Sequence, residues 1–190
     1  MIMIKNNKIR ILLAMLGLMT CAATIGGIYY YYTQTNSSKD IYNFNMERDS
    51  DDIHQVMKDN WYWLISSPDF SVDFMLKQKA PNNREPRYFG KLKIKVMRKN
   101  NSFVGFVAYY KKSFYEGQIL FLVVDEKYRG KGFAQILLNY ALNQLKKEGV
   151  SRARLVTRTS NLKAQALYKK EHFNEYARDD GYVYYEKSLN

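Results

Sequence analysis

At 190 residues, with 46% hydrophobic and 15% aromatic side chains, the chain has material for one ordinary domain and an appendage, which excludes low-hydrophobicity disorder over most of its length. The net charge is +12, but the basic excess is dispersed instead of gathered in one run. It therefore attracts anions in general (a phosphorylated small molecule, anionic lipid, nucleic acid) and predicts no specific nucleic-acid partner. The single cysteine, Cys21, rules out an internal disulfide and a cysteine-based metal centre, and two distant histidines, His54 and His172, argue against a zinc site.

Residues 1–10 form a basic flank carrying Lys5, Lys8 and Arg10. Residues 11–28 follow as ILLAMLGLMTCAATIGGI, a run without charge. As a helix this run is about 27 Å long, the span of a bilayer core. Tyr29 to Tyr32 extend it with an interfacial aromatic belt. The apolar stretch exceeds the usual cleaved signal peptide, so residues 11–32 are predicted to be a single-pass anchor in preference to a removed leader. The basic flank predicts an inside N-terminus and an outside domain, and which side the domain faces stays open. Residues 33–40 form a polar linker, and residues 41–190 one domain.

Within that domain residues 41–47 suit a first strand. Asp49 or Ser50 can cap a helix whose apolar positions Ile53, Val56, Met57, Trp61 and Leu64 recur at three and four. After a break at Pro68, residues 69–79 suggest a short helix, and residues 80–90, with two prolines, a loop. Lys91, Lys93 and Lys95 alternate with Leu92, Ile94 and Val96, the pattern of a half-exposed strand. Asn100 and Asn101 then turn the chain into SFVGFVAYYKK, and QILFLVV (118–124) reads as a strand covered on both faces. An amphipathic helix over 132–147, a strand over 153–159, a helix over 162–170 and a strand over 182–187 complete the domain. Strands alternating with helices imply an α/β fold, a mixed sheet with helices on its faces.

The chemistry concentrates at residues 123–142, VVDEKYRGKGFAQILLNYAL, where a buried strand passes through a basic turn into a helix. Gly130 and Gly132 let the backbone approach a ligand, and helix N-terminal amides favour an anion. Arg129 and Lys131 add positive charge, and the whole reads as a diphosphate cradle. The plain alternative is a helix start in a tight glycine turn. Neither the Walker A spacing nor the dinucleotide fingerprint fits.

These residues resemble the pyrophosphate-binding motif Q/R-x-x-G-x-G/A of the GNAT superfamily of acetyl-CoA-dependent N-acyltransferases, matched by Arg129, Gly130, Lys131, Gly132, Phe133 and Ala134. A second block, RLVTRTSNLKAQALYKKEHF (154–173), is similar to the family's next strand, asparagine, helix and closing phenylalanine. The resemblance implies a GNAT-like fold, a central mixed sheet of six to seven strands splayed by a bulge. It further implies acetyl-CoA as co-substrate and no metal. Backbone near Val124 would hold the pantetheine arm, amides from Arg129 to Ala134 the diphosphate, and Asn161 the cofactor arm. Tyr168 would protonate the departing thiolate.

Two departures stand out. His172 replaces the glycine before the phenylalanine of the second block, and Gln118 stands where some members carry a catalytic glutamate. Glu116, two residues earlier, is a candidate general base, with water as the alternative. The implied reaction is acetyl transfer to an amine: a small amine, a lysine or a protein N-terminus. A membrane-tethered binding module with a basic surface, or a CoA-binding protein without turnover, remain as other readings. The acceptor loops, about 59–90 and 176–182, carry no readable code.

Overall fold

A computed structural model describes residues 38–67, 70–77 and 92–190. The predicted anchor over residues 11–32 and the predicted loop over 80–90 lie outside the described residues. Among those described, no helix is long and apolar enough to cross a membrane.

Residues Asp40–Asn190 form one unit built on a seven-stranded sheet. The strands are β1 (Ile41–Asn43), β2 (Lys93–Lys99), β3 (Ser102–Lys111), β4 (Glu116–Val124), β5 (Arg152–Arg158), β6 (Asn174–Arg178) and β7 (Tyr182–Ser188), in the order β1-β2-β3-β4-β5-β7-β6. Every neighbouring pair is antiparallel except β4 with β5. Helices α1 (Met46–Asp59), α2 (Trp61–Leu64) and α3 (Val72–Leu76) precede β2; α4 (Phe133–Lys147) joins β4 to β5, and α5 (Leu162–Lys170) joins β5 to β6.

The central strands of the sheet are buried on both faces. One apolar cluster joins Val107, Ile119, Val124, Leu137, Leu138, Leu155 and Tyr185 beneath α4 and α5. The other joins Ile53, Met57, Leu76, Phe106, Phe121 and Val123 beneath α1 and α3. The continuous apolar run of β4 supplies both, as expected for a strand with no solvent face.

Several local choices follow from side-chain chemistry. Asn45, and not Asp49 or Ser50, caps α1: its Oδ1 accepts from the Arg48 amide at 2.9 Å, and its own N–H donates to Asp49 Oδ2 at 2.9 Å. The first strand is thereby cut to three residues. Asn100 and Asn101 both take left-handed φ, +48° and +63°, the geometry of a tight hairpin turn. Helix α5 ends in a Schellman motif, with Phe173 N–H donating to Tyr168 O and His172 N–H to Lys169 O. His172 sits there at φ +60° where glycine would rest without strain.

Candidate active site

The site begins with a defect in β4. Ala108 of β3 faces Phe121 and Tyr109 faces Ile119, so Leu120 is an extra residue, a bulge. Its consequence shows in the packing: Leu120 and Phe121, adjacent in sequence, both face the α1 cluster, with Ile119 and Leu122 facing the α4 side. The bulge coincides with a split in the sheet. β4 pairs with β5 only from Glu116–Arg152 to Gln118–Arg154. Beyond it the β5-facing edge of β4, through Val124, has no strand partner, leaving backbone polar groups for a ligand in the gap.

At the open end of β4, Asp125 caps a 3-10 turn, Glu126–Tyr128, and the chain enters the glycine turn. Gly130 and Gly132 have φ of +76° and +82°, and a Cβ on either would meet nothing within 4 Å. Their glycine identity therefore answers to backbone conformation and to open space, not to a neighbouring protein atom. The amides of residues 130–134 have no acceptor among the described residues. They converge at the N-terminus of the 15-residue helix α4, where the helix dipole adds partial positive charge. Such a cradle fits a diphosphate.

Not every residue expected in the cradle contributes an amide to it. The Arg129 N–H is committed to Glu126 O at 3.2 Å, so the donor row starts at Gly130. The Arg129 side chain instead donates from Nε to Val124 O (3.0 Å) and from Nη2 to Asn60 Oδ1 (2.6 Å). The Val124 carbonyl thus already accepts one hydrogen bond at the mouth of the gap. Lys131 Nζ donates to Lys127 O at 3.1 Å and lies 5.4 Å from the Tyr128 ring centre, an exposed positive charge beside the turn. Phe133 buries its ring against Tyr128, and Ala134 packs on the same cluster.

Asn161 caps α5 by accepting the Ala164 amide at its Oδ1, 3.2 Å, which leaves its side-chain NH2 as the group to meet a ligand. Tyr168, two turns on, is buried in the cluster that holds Val124 and Phe133, with ring contacts to Phe173 at 5.9 Å and Tyr185 at 5.7 Å between centres. Burial, and secondarily the nearby Tyr185, raise its pKa well above the ordinary tyrosine range. Its hydroxyl stays protonated throughout neutral pH.

Glu116 is not brought to this constellation. It lies at the paired end of β4, eight positions before Val124, or roughly 26 Å along an extended strand. Its Oε2 is 2.9 Å from Arg154 Nη1, and its Oε1 is 2.8 Å from Lys112 Nζ without an aligned hydrogen bond. Arg154 continues to Glu186 at 3.0 Å, so β4, β5 and β7 are tied together at the closed end of the gap. That is the role of a strand tie, not of a base facing an acceptor. From Gly117 to Val124, and throughout β5, the walls carry no carboxylate.

Sequence reasoning missed Asn60 and Arg158. Arg158 ends β5 and donates from Nε to Tyr62 O at 2.5 Å and from Nη2 to Ile65 O at 3.1 Å. Both partners are in a segment whose sequence has no polar motif, so no local pattern announces them.

The acetyltransferase (GNAT) family profile matches residues 50–173. The chain is 36% identical over 121 residues to the [ribosomal protein bS18]-alanine N-acetyltransferase of Haemophilus influenzae, covering 58% of this chain and 79% of that one. Among solved structures it is similar to the paia N-acetyltransferase of Thermoplasma acidophilum in complex with coenzyme A, at TM-score 0.63 and 19% identity over 78% of this chain and 97% of that one. The ribosomal-protein-S18-alanine N-acetyltransferase of Escherichia coli matches at TM-score 0.59 and 19% identity, over 79% and 93%. At those identities the solved structures speak for the fold.

Proposed function

The chain belongs to the acetyltransferase (GNAT) family, and from that premise we propose that it acetylates the α-amino group at a protein or peptide N-terminus. The observation that carries the reading is the row of unpaired amides over residues 130–134, set beside the gap that opens past Leu120. Those amides would bind the diphosphate of acetyl-CoA, the free edge of β4 its arm, and the Asn161 side-chain NH2 a carbonyl of that arm. When bound, acetyl-CoA supplies an activated acyl carbon and a thiol leaving group.

The chain's own residues do the rest. Free β4 amides orient and polarise the carbonyl as the amine attacks, so that a C–N bond forms and the C–S bond breaks. Tyr168 holds a proton at its hydroxyl oxygen for the departing sulfur, and water in the gap takes the proton from the amine. The absence of a carboxylate from the described gap walls favours an α-amine. At pH 7.5 about a third of an α-amino group is neutral, against about one in a thousand for a lysine side chain. Described walls without a carboxylate suit the amine that needs no built-in base. The H. influenzae relative, named for an alanine N-terminus, supports the same class.

Peptides test the acceptor. Alanine-initiated peptides with a free N-terminus should be acetylated, and the same peptides with a blocked N-terminus and a free lysine should not; the reverse preference contradicts the reading. We also propose that residues 11–32 tether the enzyme to a membrane, from their charge-free run and basic flank. Alkali-resistant, detergent-sensitive sedimentation with the membrane fraction is expected, and release by alkali alone would argue against it.

A further inference from the structure

The segment Asn60–Ile65 crosses the open end of the gap between β4 and β5, and one arginine from each wall holds it there. On the β4 side Arg129 joins Val124 O to Asn60 Oδ1, and Asn60 in turn donates from Nδ2 to Val56 O at 2.7 Å, locking the end of α1. On the β5 side Arg158 joins Tyr62 O and Ile65 O. Its guanidinium carbon also lies 4.4 Å from the Tyr62 ring centre and 5.3 Å from that of Tyr182, the first residue of β7. Among the described residues Arg158 has no carboxylate partner. Two carbonyls and two ring faces balance its charge, an arrangement that needs the planar fork of arginine. Held so, α2 presents Tyr62 and Trp63 to solvent, 58% and 43% exposed, when isolated rings of that size usually bury.

We propose that Arg158 is a positioning residue for acceptor capture: with Arg129 opposite, it fixes the Asn60–Ile65 segment across the mouth of the gap, so that the amine enters past Tyr62 and Trp63. The inference rests on the acetyl-transfer reading. It differs from a stabilising role in what it predicts, because the Arg158 side chain contacts Tyr62, Ile65 and Tyr182, whereas only its backbone carbonyl meets Asn161 and that carbonyl survives substitution. Its loss leaves CoA binding and the chemical step in place and loosens only the acceptor's wall.

The molecule carries its own reporter. Trp61 and Trp63 are its only tryptophans, and both lie on α2. In the full chain, Arg158→Ala should raise acrylamide quenching of tryptophan emission. CoA affinity by calorimetry should stay within about twofold, as for sites that share no contacts. With the amine acceptor that the peptide panel identifies, the Michaelis constant should rise about tenfold while kcat stays within about twofold, the signature of binding lost equally in ground and transition states. Arg158→Lys keeps charge and stem, and is the variant to read where the alanine variant fails to fold. Lacking the fork, it should show the same rise in quenching and in the Michaelis constant. A wild-type chain that binds no CoA overturns the acetyl-transfer reading itself. A wild-type chain that binds CoA, with quenching and acceptor Michaelis constant unchanged in a folded Arg158 variant, overturns the clamp alone.

Discussion

Four residues carry separable roles. Gly132 and Gly149 have nearly the same φ, +82° and +79°, and open space around both, but Gly149 closes the far end of α4. Each should lose about 1–2 kcal/mol of stability on replacement by alanine, the cost of a left-handed side chain. Only Gly132→Ala puts a methyl group into the cradle, so only it should weaken CoA binding; equal CoA affinities for the two variants would show that the turn holds no diphosphate. Tyr168→Phe keeps the ring and its contacts with Phe173 and Tyr185. Its kcat should fall about 10²–10⁴-fold, with the Michaelis constant for acetyl-CoA little changed. Unchanged turnover with chemistry rate-limiting would return the proton donation to water. His172→Gly relieves a left-handed histidine and should raise the melting temperature by about 2–4 °C, as about 1 kcal/mol does in a chain of this size.

At the scale of elements, the split between β4 and β5 organises the site, and Glu116 belongs to its closed end. Glu116→Gln should cost about 1–3 kcal/mol by leaving Lys112 without its carboxylate and Arg154 with Glu186 alone, with kcat within a few-fold of wild type. A large loss of kcat at unchanged stability would restore it as a base. The sequence made the cradle readable because glycine spacing, basic residues and a helix start are all local. Helix Leu162–Lys170 was legible to the residue for the same reason, whereas its cap, Asn161, emerges from the structure. Strand β6 was not, because all five of its residues are exposed and no apolar alternation marks an edge strand. The break between α1 and α2 also hid, since Trp61 and Leu64 continue the helical period of Ile53 and Met57. The structure shows the stop at Asn60, whose Nδ2 donates to Val56 O while Arg129 holds its Oδ1.

For the whole molecule, pH acts on the substrate and on stability in different ranges. Turnover of an α-amine should climb as pH rises and level off above about 8, because the neutral amine attacks. An optimum on the acid side would contradict water as proton acceptor. On the stability side, burial alone would raise the Asp49 pKa, but hydrogen bonds from Arg48, the Asn45 amide and Arg98 outweigh it and hold that pKa below its ordinary value. The stability it contributes is present above the unfolded-state value and is lost as pH falls through the folded one. Burial of Tyr168 and Tyr109 acts oppositely: their stability is present below about 10, the ordinary tyrosine value, and is lost as pH climbs beyond it. Denaturant midpoints against pH should therefore hold a plateau between those limits, with its acid shoulder flattened in Asp49→Asn. The central claim, acetyl transfer to an amine through this cradle and gap, is tested most directly by a single-turnover experiment with enzyme in excess over acetyl-CoA and an alanine-initiated peptide present. Free thiol and N-terminally acetylated peptide should appear together, mole for mole and at one rate, with that rate depressed in Tyr168→Phe. Thiol release without acetylated peptide, or no release from a folded chain that binds CoA, would contradict the account.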